Sequence, residues 1–412
     1  MTTIPLRHVG DVNPVTPEFD RLPANDEVTF MPLETVWADS RVDFSRRCAK
    51  AAVASGYTRF RDGDVLVPKV TPTFQAGRVV VAQLETQAGA GTTELHVIRA
   101  RAGVSDARFL AYVCRSKPFL DEGVSAFQGV AGLQRVPDEF LRSFPIADIP
   151  LEEQRRIADF LDTETARLDQ LMTLRDRQVT LLSERTSLGW QRVLDEQAGS
   201  DLVPLRRHLV SITDGPFGSS LKSSHYADGG ARVIRLGNVG TGEFLDSDEA
   251  FISMDYFEEL RAHSVRVGDV VVAGLGDSSR PVGRACVVPD LGAAIVKADC
   301  YRLRFDQAGL LHDYAALAIS APRVTSRTAT LSRGSTRIRI NTDVAREIAI
   351  PVPALSIQRH VAVAIAEMRE ESAGLRSALT SQVSLLRERR QALITAAVTG
   401  QIDVTTARPT DP

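Results

Sequence analysis

The chain has 412 residues, 43% hydrophobic and 25% charged, with a net charge of −3 from 49 basic and 52 acidic side chains. That length calls for more than one core, and that balance excludes both a disordered chain and a nucleic-acid binder with a uniformly basic surface. Local basic faces remain compatible with it, and strong DNA binding would then draw on positive charge from a partner.

In chain order, residues 1–148 are rich in Gly, Val and turn residues. Short apolar runs such as Val65-Leu66-Val67 predict strands, and Asp106–Arg115 predicts a helix. Residues 149–198 open on Ile149-Pro150, a helix-start signal, and continue without proline through Leu, Arg, Glu, Gln and Ala, which predicts one long helix. Residues 199–350 return to the first composition. Strands are predicted at Ala231–Leu236 and Val270–Ala273, and a helix at Leu310–Ala321. Residues 351–404 predict a second long helix, and 405–412 a tail. The fold class is therefore α+β, with two mixed α/β domains alternating with two long helices.

The two halves share one frame. Leu181-Leu182-Ser183-Glu184-Arg185 recurs as Leu385-Leu386-Arg387-Glu388-Arg389, and Leu151-Glu152-Glu153-Gln154-Arg155 as Leu355-Ser356-Ile357-Gln358-Arg359. Gly63-Asp64-Val65-Leu66-Val67 matches Gly268-Asp269-Val270-Val271-Val272, and Pro5-Leu6-Arg7-His8 matches the start of the second half at Pro204. The matches are short but keep the same order, which identifies an internal duplication.

In the first long helix, Ile157, Leu161, Leu168, Leu171 and Leu182 fall on one seam. In the second, Val361, Ile365, Met368, Leu375, Leu379, Leu386 and Leu393 do so. These are a and d positions of a heptad repeat, interrupted at Gln178 and Gln382 and again at Arg185 and Arg389. Such stripes can pack on the helix's own domain. A helix of about 45 residues spans roughly 68 Å, longer than the edge of one small domain, so the seams are expected to pair with each other. A pseudo-twofold repeat makes that pair antiparallel. Its length suits a spacer of about two DNA turns.

This arrangement resembles the specificity subunits of type I restriction–modification systems. The residues that carry the resemblance are Ile149-Pro150-Leu151-Glu152-Glu153-Gln154-Arg155; Asp214-Gly215-Pro216-Phe217-Gly218-Ser219-Ser220-Leu221-Lys222 with Tyr226 and Arg235-Leu236-Gly237-Asn238; Gly334-Ser335-Thr336-Arg337 leading to Ile340-Asn341; and Arg389-Arg390-Gln391-Ala392-Leu393 with Val398-Thr399-Gly400. The resemblance implies two target-recognition domains, 1–148 and 199–350, each reading one part of a split, asymmetric sequence in double-stranded DNA. The antiparallel coiled-coil helices would separate them and set the gap. It implies docking of methyltransferase subunits, two in number, and of restriction/translocase subunits. S-adenosylmethionine, ATP and magnesium would then belong to those partners and not to this chain. The first domain lacks a counterpart of Gly215-Pro216-Phe217-Gly218.

No catalytic constellation is legible. There is no GxxxxGK[ST] phosphate loop, no HExxH and no CxxC among Cys48, Cys114, Cys286 and Cys300, so neither a metal site nor a disulfide framework is expected. Scattered cysteines and the lack of a signal peptide or a membrane-spanning run suggest the cytoplasm and no membrane. Val270-Val271-Val272-Ala273-Gly274-Leu275-Gly276 could run from a strand into a cofactor loop, but a lone GxG is a weak signal and the matching Val65–Lys69 stretch has no glycines. The DNA-binding candidates lie on loops. In the first half they are Lys69, Thr71, Thr73, Gln75 and Arg78 after the repeated strand, then Gln128, Gln134 and Arg135. In the second half they are Ser219, Ser220, Lys222, Ser223, Tyr226 and Asn238, then Arg333, Ser335, Thr336, Arg337, Arg339 and Asn341. Hydroxyls and lysine suit phosphate, and arginine is the commonest reader of guanine. Asn341 could read adenine or cap a turn. Two other functions fit this pattern: a free-standing two-domain DNA-binding regulator and a coiled-coil protein-interaction scaffold.

Overall fold

A computed structural model describes residues 2–36, 42–129, 134–199, 201–277, 279–331 and 338–404. The chain divides into two compact units, Met1–Arg177 with Leu379–Pro412, and Gln178–Ala378. The division falls inside both long helices, Leu151–Gln197 and Leu355–Val398. Each unit therefore joins one α/β domain to the near part of one helix and the far part of the other.

In the first unit, Val65–Pro68 is buried along its whole length, as expected of a continuous apolar run covered on both faces. It lies inside a four-stranded antiparallel sheet ordered Gly10–Val12, Leu95–Ala100, Val65–Pro68, Val80–Val81. A second sheet, ordered Arg47–Ala49, Glu27–Met31, Gly89–Gly91, Thr58–Phe60, contains one parallel pair. The helix Ala107–Arg115 starts where Asp106 accepts hydrogen bonds from the amides of Arg108 and Phe109, and it packs onto the first sheet.

The second unit repeats this plan. Leu209–Thr213, Cys300–Phe305, Val270–Ala273 and Ala285–Val287 form the matching antiparallel sheet. A five-stranded sheet, with one parallel pair between Ala231–Ile234 and Ala294–Val296, replaces the second four-stranded one. The helix predicted at Leu310–Ala321 is observed at His312–Ser320.

The duplication extends to individual bonds. Asp64 takes both Nε and Nη2 of Arg99 at 2.8 and 2.7 Å, and Asp269 takes the same pair from Arg304 at 2.7 and 2.8 Å. Both aspartates follow a glycine in the left-handed region, Gly63 at φ 78° and Gly268 at φ 84°, where a β-carbon is disfavoured. Gln154 and Gln358, buried at the start of the long helices, each accept one loop amide (Asp106, Leu311) and donate to two carbonyls (Val104 and Ile149; Gly309 and Pro353). These glutamines lock each helix start onto its own domain.

The long helices make contact within each unit. In the first, Arg390 pairs with Asp169 at 2.9 Å, while Ile157, Leu161, Ile394, Ala397 and Val398 share one core. In the second, Thr186 donates to Ser372 at 2.7 Å, Arg369 covers the Trp190 ring, and Val361 and Ile365 join Trp190 and Leu194 in the domain core. Numbers rise along one helix as they fall along the other, so the helices are antiparallel, as expected. The seam needs correction in two respects. Leu161 and Ile365 are fully buried mainly because the first turns of each helix belong to a domain core. Leu375 is 50% exposed and is not an interlocking knob. It borders an open groove with Leu182 and Met368 beside the Thr186–Ser372 contact. Leu168 is buried, and Leu171, Leu182, Met368, Leu379, Leu386 and Leu393 are half-buried.

Candidate nucleic-acid interface

In the first unit the strand Val65–Pro68 runs out into Lys69 and Val70, and Val70 bridges to Arg135. Gln128 and Arg135 exchange both backbone hydrogen bonds at 2.9 Å, which closes the loop between them at its base. An open groove is thereby lined by Asn13, Lys69, His96, Gln128, Arg135 and Asp138. Lys69 donates to the carbonyl of Thr93 at 3.0 Å, and partial burial lowers its pKa below the ordinary lysine value. Arg135 holds Glu94 through Nε and Nη2 at 2.8 and 2.6 Å, and this hydrogen bonding is the main reason that the Glu94 carboxyl sits below its usual range. His96 is buried between Asn13 and the carbonyl of Val136, and burial pushes it down to about 4, so it is neutral at pH 7.

The other candidates in this domain have more internal roles. Thr73 spends its hydroxyl on the carbonyl of Val70 at 2.7 Å, so it closes a turn rather than projecting a donor. Arg78 is half-buried, with Nη1 on the carbonyl of Val36. Thr71 and Gln134 are half-buried and Gln75 is exposed.

In the second unit the equivalent strand end carries Leu275–Gly276, which pairs with Ile338–Arg339. Arg339 holds Asp299 through Nε at 2.9 Å and Nη2 at 2.8 Å, and its guanidinium lies 5.8 Å from the exposed ring of Phe217. Asp299 is fixed in turn by its amide, which donates to Asp214 at 3.0 Å. Burial raises the Asp214 carboxyl. Gly215 is required here, because a β-carbon would lie 2.1 Å from the backbone of Lys297. Ser219 and Ser220 lie in the turn Gly218–Ser220, followed by exposed Lys222 and Ser223 in a polar turn. The carbonyl of Ser220 accepts from Tyr256.

Three assignments in this domain change. Asn238 is fully buried. Its Oδ1 accepts the amide of Arg235, and its Nδ2 donates to the carbonyls of Leu245 and Asp248, so it organises a turn and presents nothing to DNA. Tyr226 packs its ring in a small apolar cluster with its hydroxyl buried and Lys297 over its face. Asn341 caps the helix Thr342–Glu347 by accepting from Val344 at 2.9 Å, the capping alternative. Arg333, Ser335, Thr336 and Arg337 lie outside the described residues.

The glycine stretch after Val270–Ala273 is a packing device. A β-carbon on Gly274 would meet the Tyr301 hydroxyl at 2.4 Å, and one on Gly276 would meet the amide of Val282 at 2.3 Å. Among the described residues no group of three or more His, Cys, Asp or Glu side chains could hold a metal ion, and no helix is long and apolar enough to cross a membrane. The four cysteines are free.

Sequence reasoning missed Asn13, His96, Glu94 and Asp299. Glu94 and Asp299 had a usable signal: they are the same distance apart as Asp64 and Asp269, and each stands one residue before a strand of the repeated sheet.

The fold and these two matched rims define a class of duplicated two-domain protein in which a polar loop cluster caps one strand end of each domain. Solved structures that share that fold include two that match nearly the whole chain. One was determined in work on complex assembly and conformational transition of the type I restriction–modification system, with a TM-score of 0.77, 18% identity, and coverage of 97% of this chain and 98% of that one. The other is the HsdS subunit from Thermoanaerobacter tengcongensis, with a TM-score of 0.57, 18% identity, and coverage of 97% of each chain. In sequence, the chain is 34% identical over 175 residues to the EcoAI type I restriction enzyme specificity subunit of Escherichia coli, and 30% identical over 165 residues to the EcoEI specificity subunit. Those stretches are 42% and 40% of this chain but only 28% of either relative. No protein-family model matches the chain. The chain thus shares its fold with these two solved structures and is similar in sequence, over about two fifths of its length, to the two Escherichia coli specificity subunits, of which it spans less than a third.

Proposed function

We propose that the protein is the DNA-reading subunit of a type I restriction–modification system. Each α/β domain reads one part of a bipartite, asymmetric sequence in double-stranded DNA, and the paired helices set the unspecified gap. Methyltransferase subunits, two by our reading, dock on this chain, and restriction/translocase subunits join them. The chain itself carries out no chemistry. S-adenosylmethionine, ATP and magnesium serve the partners, and the assembly works in the cytoplasm.

The observation that carries this reading is the recurrence of one rim on both domains. At the same strand end, Lys69, Gln128 and Arg135 in one domain and Arg339 beside the Gly215–Lys222 loop in the other present donors suited to a polyanion. A near-neutral chain with two such rims fits binding that is completed by partners. The test is methylation mapping of genomic DNA from a host that expresses this chain with its methyltransferase subunits. A single split motif is the expected result. Specific DNA binding by the chain alone, with no methyltransferase retained on purification, would favour a free-standing regulator.

A further inference from the structure

We propose that the recess beside the helix Ala107–Arg115 is a carboxylate-binding site, in which the buried guanidinium of Arg115 takes the ligand. The site goes beyond the DNA-reading function proposed above and does not depend on it.

Arg115 is the last residue of its helix and is 9% exposed. Its Nε and Nη2 both donate to the carbonyl of Val79, and its guanidinium carbon lies 5.2 Å from the centre of the Tyr112 ring. Its own carbonyl accepts from Gln391 of the second long helix at 2.7 Å. The group is therefore held along one edge and on one face. Its Nη1 meets no acceptor among the described residues, yet it is not sealed off, and Arg115 lines a recess of 370 Å³. Two other arginines and two aspartates line the same recess. Arg108 pairs with Asp159 and Asp162 at 2.8 Å each, and Arg390 pairs with Asp169 at 2.9 Å. Arg115 has no ion-pair partner among the described residues, and burial pushes its pKa down to about 10. It is still a cation at pH 7, and a buried cation left unpaired is destabilising.

The duplicated frame does not require that charge. Ser320 ends the matching helix His312–Ser320. Ala285 stands two residues before Val287, which pairs with Val270, as Val79 stands two before Val81, which pairs with Val65. The Ser320 hydroxyl donates to the carbonyl of Ala285 at 3.0 Å and accepts its amide at 2.8 Å. A neutral side chain thus ties helix to edge strand in the second domain, where a charged one makes the tie in the first. What the arginine adds is the end edge that carries Nη1, and a guanidinium edge matches the two oxygens of a carboxylate. Val80, Val81, Ala111 and Ala166 line the recess as well and suit the methylene stem of such a ligand. Asp162 and Asp169, each already paired, admit one negative charge beside Arg115 but oppose a polyanion, so DNA phosphate is a poor fit.

The test compares the full chain with Arg115→Ser, which copies the second domain, and Arg115→Met, which keeps an unbranched stem without the charge. The probe is sodium acetate, set against sodium chloride at equal ionic strength, and the reading is the melting temperature. Acetate should raise that of the parent by roughly 2–4 °C beyond any shift in either variant. Without acetate, both variants should melt no lower than the parent. Equal acetate shifts in all three proteins would overturn the proposal, as would a stronger response to inorganic phosphate than to acetate. Loss of folding in both variants would also overturn it, because Arg115 would then be a structural brace. A second arm, with methyltransferase subunits bound, identifies the source of the carboxylate. An acidic side chain of that partner abolishes the acetate shift in the complex, and Arg115→Ser then weakens assembly by roughly 30-fold or more. A free small acid leaves the shift in place and assembly unchanged. Failure of the parent chain to bind any methyltransferase subunit would refute the function proposed above and leave the acetate result standing.

Discussion

At the scale of single residues, what matters is which polar groups are already spoken for. Asn238 and Thr73 are residue types that often contact DNA, yet their side chains are consumed by backbone groups of their own loops. Asn238→Ala should accordingly cost stability, by about 1–3 kcal/mol in urea unfolding of the full chain, because it strands buried partners. His96 makes a pH prediction. Unfolded, it would take a proton near pH 6.5, whereas burial holds the folded ring at about 4. Between those values the unfolded state binds more protons, so stability is unaffected above the window and falls as pH drops through it, by roughly 3 kcal/mol in all. Urea titrations at pH 7 and pH 4.5, repeated with His96→Gln, should show that the substitution removes most of this slope.

At the scale of elements, the buried pairs Asp64–Arg99 and Asp269–Arg304 hold the central strands of each repeated sheet. Asp64→Asn leaves a mostly buried guanidinium without its counter-charge and should destabilise the first domain by about 3 kcal/mol, with the second domain's unfolding transition unchanged. Gly274→Ala tests the packing account of the glycine stretch. Its new methyl would collide with the Tyr301 hydroxyl, which donates to the carbonyl of Ile340, so a loss of about 1–3 kcal/mol is expected. A cofactor loop at that place would instead lose ligand binding with little change in stability. The long helices behave as two kinds of element in sequence. Their first turns are pieces of domain core, fastened by Gln154 and Gln358, and their later turns meet the partner helix through contacts such as Thr186–Ser372.

At the scale of the whole molecule, the proposed division of labour is separable. Exchanging residues 1–148 for the corresponding domain of a related subunit should change one half of the methylated motif and preserve the other. Removing one heptad from each long helix should change the number of unspecified bases and preserve both halves. Both outcomes are read in one methylation map, and a change in the wrong part of the motif in either case contradicts the assignment.

The amino-acid sequence by itself determined the duplicated frame, the alternation of α/β domains with long helices, and the positions of Val65–Pro68, Val270–Ala273 and the helix at His312–Ser320. Those follow from periodicity, turn chemistry and colinear repeats, which are local or one-dimensional properties. Only the tertiary structure decided that Leu375 faces solvent, that Asn238 is an internal brace, and that Ile394 and Val398 complete the core of the first domain. It alone joined Arg135 to Glu94 and Arg339 to Asp299, across 41 and 40 residues of chain. Pairing of this kind is set by distance in space, which residue type and spacing along a strand or helix do not encode.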